Sequence, residues 1–128
     1  MQIIKQSPAA AEDANSGNFG GSVHLQRMID QHQSSDIELL SVFFDAGGRT
    51  RPHTHMVDQV LVITSGRGIV ANGAEQHEVA PGDVILIPAG EWHWHGARPD
   101  AAMTHLSIKR YAETSWQVDE RDWASNYR

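Results

Sequence analysis

Two short runs put pairs of imidazoles where they can share one ion. His53-Thr54-His55 sets two histidines on one face of an extended strand, about 6.6 Å apart along the backbone. His93-Trp94-His95 repeats the spacing behind the turn Pro88-Ala89-Gly90. Neutral imidazole is the commonest biological metal ligand, and a barrel lumen offers the dry, shaped cavity such a site needs. Gln59 shares the parity of His53 and His55, but a straight strand would carry it roughly 20 Å from His53. It joins them only if the chain bends at Met56-Val57-Asp58. His105 adds a histidine on one face of the last strand, whereas His24, His32 and His77 read as bystanders in polar settings. Arg49 and Arg51 share the parity of the first pair, so they are expected on its face, as rim residues or as contacts for an anionic substrate. Trp92 and Trp94 flank His93 and read as aromatic packing.

The elements that must position these residues are short strands. Val23 to Met28 alternates apolar and polar residues, and Ile37 to Phe44 is a second strand closed by Asp45-Ala46-Gly47-Gly48. Gln59 to Thr64 is a nearly continuous β-branched run, expected to be buried on both faces. Ile69 to Ala71 leads into the hairpin signal Asn72-Gly73, and Glu75 to Val79 pairs back. Val84 to Ile87 follows the turn Pro81-Gly82-Asp83. On the last strand, Met103, His105 and Ser107 share one face, with Thr104, Leu106 and Ile108 on the other. Strands at this spacing, with Gly, Pro and Asn turns, predict an all-β sandwich or barrel. The expected boundaries are one domain over 1–128, with a core of about 37–110. Residues 1–21 are expected to form an arm or loop, and a short C-terminal extension to hold a helix around Asp119 to Ser125.

Composition removes several classes of function. Asp and Glu number 16 against 10 Lys and Arg, for a formal charge of −6. No nucleic-acid partner is expected of such a chain, because phosphate binding needs a basic face. The absence of cysteine removes disulfides, thiolate nucleophiles and iron–sulfur ligation. No apolar run approaches the ~20 residues of a membrane helix, and the N-terminus does not read as a secretory signal. No membrane partner and a cytoplasmic location are therefore expected.

Gly47, His53, His55, Gln59 and Gly66 resemble the first motif of the cupin superfamily, and Gly82, Pro88, Gly90 and His93 resemble the second. The likeness spans about residues 40 to 108. It narrows to small bacterial cupins related to carboxymuconolactone-decarboxylase-linked domains, a group that includes manganese-dependent hydroxynitrile lyases. The resemblance implies a cupin double-stranded β-helix, or jelly-roll, barrel. It implies one divalent metal on His53, His55, Gln59 and His93, with Gln59 in place of the usual glutamate. It further implies catalytic roles for His95 and His105, the latter as base. The chain departs from the lyase pattern at Met56-Val57-Asp58 and at Leu40 and Phe43, changes expected to reshape the pocket.

Three imidazoles and a neutral amide leave a bound ion its full dipositive charge, which attracts an anionic ligand and acidifies bound water more than a charged ligand set would. Mixed N/O ligation suits Mn²⁺, Fe²⁺, Co²⁺ or Ni²⁺, with Zn²⁺ also compatible, and manganese leads through the resemblance. The expected function is a lyase acting on a small hydroxy or carbonyl compound. The alternatives are an Fe²⁺ dioxygenase and a binding module without turnover. A leftover apolar sheet face predicts a homodimer or homotetramer, with the N-terminal arm crossing to a neighbour.

Overall fold

A computed structural model describes residues 1–14 and 17–124. The chain builds strands β1 (Glu12–Asp13), β2 (Phe19–Gly20), β3 (Val23–Ile29), β4 (Ile37–Phe44), β5 (Arg49–Thr50), β6 (Thr54–His55) and β7 (Gln59–Gly66). It continues with β8 (Gly68–Asn72), β9 (Gln76–Val79), β10 (Val84–Ile87), β11 (His93–Ala97), β12 (Met103–Arg110) and β13 (Thr114–Ser115). A single 3-10 turn at Pro8–Ala10 is the one helical element among the described residues. The strands form a six-stranded sheet, ordered β1-β3-β4-β12-β7-β10, and a five-stranded sheet, ordered β2-β5-β11-β8-β9. All pairings are antiparallel, and a small β13-β6 ladder stands apart. The architecture is all-β, a cupin-type jelly-roll barrel.

The alternation on β12 organises the interior. Met103, His105, Ser107 and Lys109 are buried, while Thr104, Leu106 and Ile108 lie half-buried on the outward side. Register then sets Val42 and Ile63 beside His105, Leu40 and Leu61 beside Ser107, and Glu38 and Gln59 near or beside Lys109. Val23, Phe44, Leu61, Ile63, Ile87 and Met103 belong to the apolar core of buried residues. Gly66 ends β7 at φ 74°, a conformation that favours glycine, and a Cβ there would collide with the Ala102 carbonyl.

Three expectations are corrected. The arm is tied down rather than loose: β1 pairs β3 and β2 pairs β5, adding an edge strand to each sheet. Residues further upstream lie on the chain's own six-stranded sheet. Gln26 accepts from the Ser7 amide at 2.8 Å and donates to the Lys5 carbonyl, and Gln6 donates to Ser41. The run Gln59 to Thr64 is not buried on both faces, since Gln59, Leu61 and Ile63 point in while Val60 and Val62 are only half-covered. The short helix around Asp119 to Ser125 is absent among the described residues: 121–124 form a turn with Arg121 at φ 52°, and Ser125 lies outside them. Side chains claim the carbonyls there. Trp92 donates to the Asp119 carbonyl at 2.7 Å and Arg49 to the Trp123 carbonyl at 2.8 Å.

Candidate metal centre

The two H-x-H runs are docked by backbone. His53 and His93 exchange both N–H···O bonds, at 3.0 and 3.2 Å, which sets their rings 4.3 Å apart at the centroids. His55, two residues on, brings its ring to 5.3 Å from that of His93. The expected bend is present at Met56 and Val57. It is held by the turn after β10, where the Gly90 amide donates to the His55 carbonyl and the Ala89 amide to Asp58. The bend returns Gln59 to the same point, buried.

Each ring is oriented by its Nδ1. His53 donates to the Arg51 carbonyl at 2.7 Å and His93 to the Glu91 carbonyl at 2.8 Å, while His55 Nδ1 shares a hydrogen bond of 3.0 Å with the Thr114 hydroxyl. A neutral imidazole carries one N–H, so the bonds to the two carbonyls leave Nε2 of His53 and His93 bare, and Nε2 of His55 is bare in the tautomer whose Nδ1 donates to Thr114. The rings are neutral because burial lowers their proton affinity: His53 well below 6.5, His55 to about 4, and His93 below 6.5. Neighbouring His93 adds to the effect at His53 and His55.

The donor set fits a divalent ion. One ring nitrogen from each of His53, His55 and His93 lies within 4.8 Å of the others, and His55 Nε2 is buried without a hydrogen-bond partner. Gln59 donates its Nε2 to Ser107 Oγ at 2.8 Å, which turns Oε1 toward His93 Nε2 at 3.2 Å. Two lone pairs then face one another, an arrangement a cation between them satisfies. A reversed amide would instead donate to His93 and accept from Ser107, so Oε1 toward the ring nitrogens is the orientation a metal requires.

Behind this cluster lies a second histidine pair. His105 Nε2 and His95 Nδ1 are 3.0 Å apart, both rings are buried, and Phe44 packs against each. Burial depresses both: His105 to about 4, and His95 well below 6.5, where His105 adds to the effect. The outer nitrogens, His95 Nε2 and His105 Nδ1, have no partner. Whichever ring donates, the pair therefore carries one bare lone pair and one free N–H. His53, His55, Gln59, His95 and His105 all line one cavity of about 420 Å³, a size that suits a small molecule.

Arg49 and Arg51 do not share this face, contrary to their parity. The chain leaves strand geometry at Arg51-Pro52 between β5 and β6, which resets the alternation and turns Thr50 inward. Arg49 instead stacks on Trp123 and Trp94, and Arg51 pairs with Glu120. Phe43 lies outside the cavity wall, opposite His24 and Thr104 in register, so only Leu40 of the two departures reshapes the pocket. His24, His32 and His77 stay away from the cavity, and Trp94 is buried against Ile69 and Ala71.

Sequence reasoning missed several contributors. Lys109 continues the inward parity of His105 and Ser107 and was open to detection. Thr114 and Trp116 were not, because no local pattern says that the segment after β12 folds back. There Thr114 holds His55 and the Trp116 ring lies 4.4 Å from that of His53.

Comparison with known proteins accords with this picture. Residues 40–109 match the cupin domain family. The chain is 36% identical over 110 residues to an (R)-mandelonitrile lyase of Granulicella tundricola, covering 85% of this chain and 84% of that protein. A cupin-like protein of Thermotoga maritima aligns over 100% of both chains with a TM-score of 0.74 and 26% identity. The polyketide cyclase RemF of Streptomyces resistomycificus shares the fold, with a TM-score of 0.80 over 97% of this chain and 92% of its own at 18% identity. With both histidine motifs in register inside a jelly-roll barrel, the chain belongs to the cupin family.

Proposed function

We propose that this cupin is a metal-dependent lyase that makes or breaks a carbon–carbon bond beside a hydroxyl group. His53, His55, Gln59 and His93 hold one divalent ion, with manganese as the assigned metal. The observation that carries the reading is that two buried groups meet at one cavity: the ring nitrogens of His53, His55 and His93 with the Gln59 amide oxygen, and beside them the neutral His95–His105 pair. Similarity to a mandelonitrile lyase over most of both chains supports it.

When bound, a divalent ion supplies Lewis acidity that favours the ionised form of a hydroxyl and stabilises charge developing on oxygen. The residues supply the proton chemistry. His105 is neutral at neutral pH and has its Nε2 bonded to His95. The pair accepts the hydroxyl proton at its bare nitrogen. The electron pair of the breaking C–C bond leaves with the departing fragment, cyanide in the case of a cyanohydrin. A proton returned from the pair completes the products, an aldehyde and the protonated fragment. Thr50 Oγ1 accepts from the His95 amide at 3.2 Å and steadies the base, while Leu25, Leu40 and Val42 supply apolar wall.

The test is cleavage of mandelonitrile by the manganese-loaded protein, and by its His105→Ala variant. Loss of a general base lowers turnover by about 10²–10⁴-fold. No cleavage of any cyanohydrin, together with unchanged turnover in the variant, overturns the reading. Elemental analysis of protein purified without added metal checks the ion. Iron together with substrate-dependent oxygen uptake would move the assignment to a dioxygenase.

A further inference from the structure

Lys109 is the one inward-facing residue of β12 with an ammonium, and the lyase reading has no use for it. Its side chain is only 7% exposed, yet it lies on the wall of the histidine cavity. Its ammonium donates to the Ala112 carbonyl at 3.2 Å and stands 3.4 Å from Glu38, too far for the short contact of a charge-assisted bond. An ammonium has three donors; one goes to Ala112, and the loose pairing with Glu38 leaves this buried cation donors for a further acceptor.

Position and charge indicate what those donors serve. Lys109 pairs with Gln59 in register, and His105 lies four residues deeper on the same face, about 13 Å of strand away. Leu25, Leu40 and Phe19 supply apolar wall around the cavity. Of the charged side chains on the wall, Glu12, Asp13 and Arg27 are exposed, while Lys109 is buried and Glu38 half-buried, so one buried cation faces a single carboxylate. A dianion would overshoot that one cation and would meet the acidic side chains at the wall.

We propose that Lys109 is a specificity residue that receives a carboxylate. The substrate would then be a small monocarboxylic acid with an apolar skeleton, its acid group toward Lys109 and its reacting carbon toward His105. Glu38 acts as the placeholder that the substrate carboxylate displaces. The assignment of the two ends rests on the lyase reading, but the carboxylate subsite belongs to this chain's own residues and is testable without metal.

The experiment is calorimetric titration of the full chain, metal-free and manganese-loaded, with pentanoate, pentanamide and methyl phosphate. Metal-free protein is expected to bind pentanoate roughly tenfold or more tighter than pentanamide, since each tenfold is one hydrogen-bond-sized increment. Lys109→Gln should abolish that preference, and Lys109→Arg should keep it. Glu38→Gln should strengthen pentanoate binding by removing the competitor, and that gain should vanish in the double variant Glu38→Gln with Lys109→Gln. Equal binding of acid and amide by metal-free protein overturns the proposal. So does a preference that appears only with metal and survives Lys109→Gln, and so does tighter binding of methyl phosphate than of pentanoate. Failure to cleave any cyanohydrin, including one that bears a carboxylate, with the pentanoate preference intact would overturn the lyase reading alone.

Discussion

At the scale of single residues, the centre is controlled by hydrogen bonds one step behind it. His53 and His93 are oriented by backbone carbonyls that no side-chain substitution removes. His55 depends on Thr114 Oγ1, which makes it the adjustable member of the three. Outer contacts of this kind typically affect metal affinity by about 10–100-fold. Thr114→Val is therefore expected to weaken manganese binding within that range, while Thr114→Ser, which keeps the oxygen, stays near the parent protein. Metal titration monitored by electron paramagnetic resonance decides between them, and equal affinities in all three proteins would remove Thr114 from the site. Gln59 works through the same logic, because Ser107 fixes which end of its amide meets the ligands.

Among the strands, β10 is the element whose surroundings look incomplete. It is the edge of the six-stranded sheet, and its outward residues Val84 and Leu86 are 65% and 61% exposed. They lie in register beside Val62 and Val60, which in turn adjoin Leu106 and Ile108. An apolar row that reaches an open edge strand is a pairing surface, and a second copy meeting it across a two-fold axis would cover both edges alike. A homodimer is expected at micromolar concentration. Leu86→Lys should shift it to monomer in sedimentation equilibrium; a monomeric parent protein would refute the assignment. Within one chain the N-terminal segment covers Gln26 and Ser41 of its own sheet.

For the molecule as a whole, gathering five buried histidines has a cost that depends on pH. His55 and His105 are both lowered from 6.5 to about 4, so the folded chain refuses protons that the unfolded chain accepts. Between these values the unfolded state binds more protons, and stability therefore rises with pH. The contribution is complete above 6.5 and shrinks as pH falls toward 4, by about 1.4 kcal/mol per pH unit for each group. Urea unfolding of metal-free protein should show falling midpoints from pH 7 to pH 4.5. A flat profile would show that these rings are not held neutral. Among the described residues no helix is long and apolar enough to cross a membrane.

The histidine pairs, the turn behind β10, the bend before Gln59 and the main strands from β3 to β12 were legible in the sequence, because each rests on local chemistry, whereas β1, β2 and β13 were not. Alternation decides faces within one strand, and Gly, Pro and Asn decide turns. Arg49 and Arg51 show where that logic stops: parity fails once Pro52 interrupts the strand, and their partners Trp123 and Glu120 lie far along the chain. Thr114, Trp116 and the Glu38–Lys109 pair join the cavity only through antiparallel register and the folding back of the C-terminal segment. Local spacing thus determined which residues could ligate a metal. Long-range packing alone decided which nitrogen each ring presents, and which charge waits beside it.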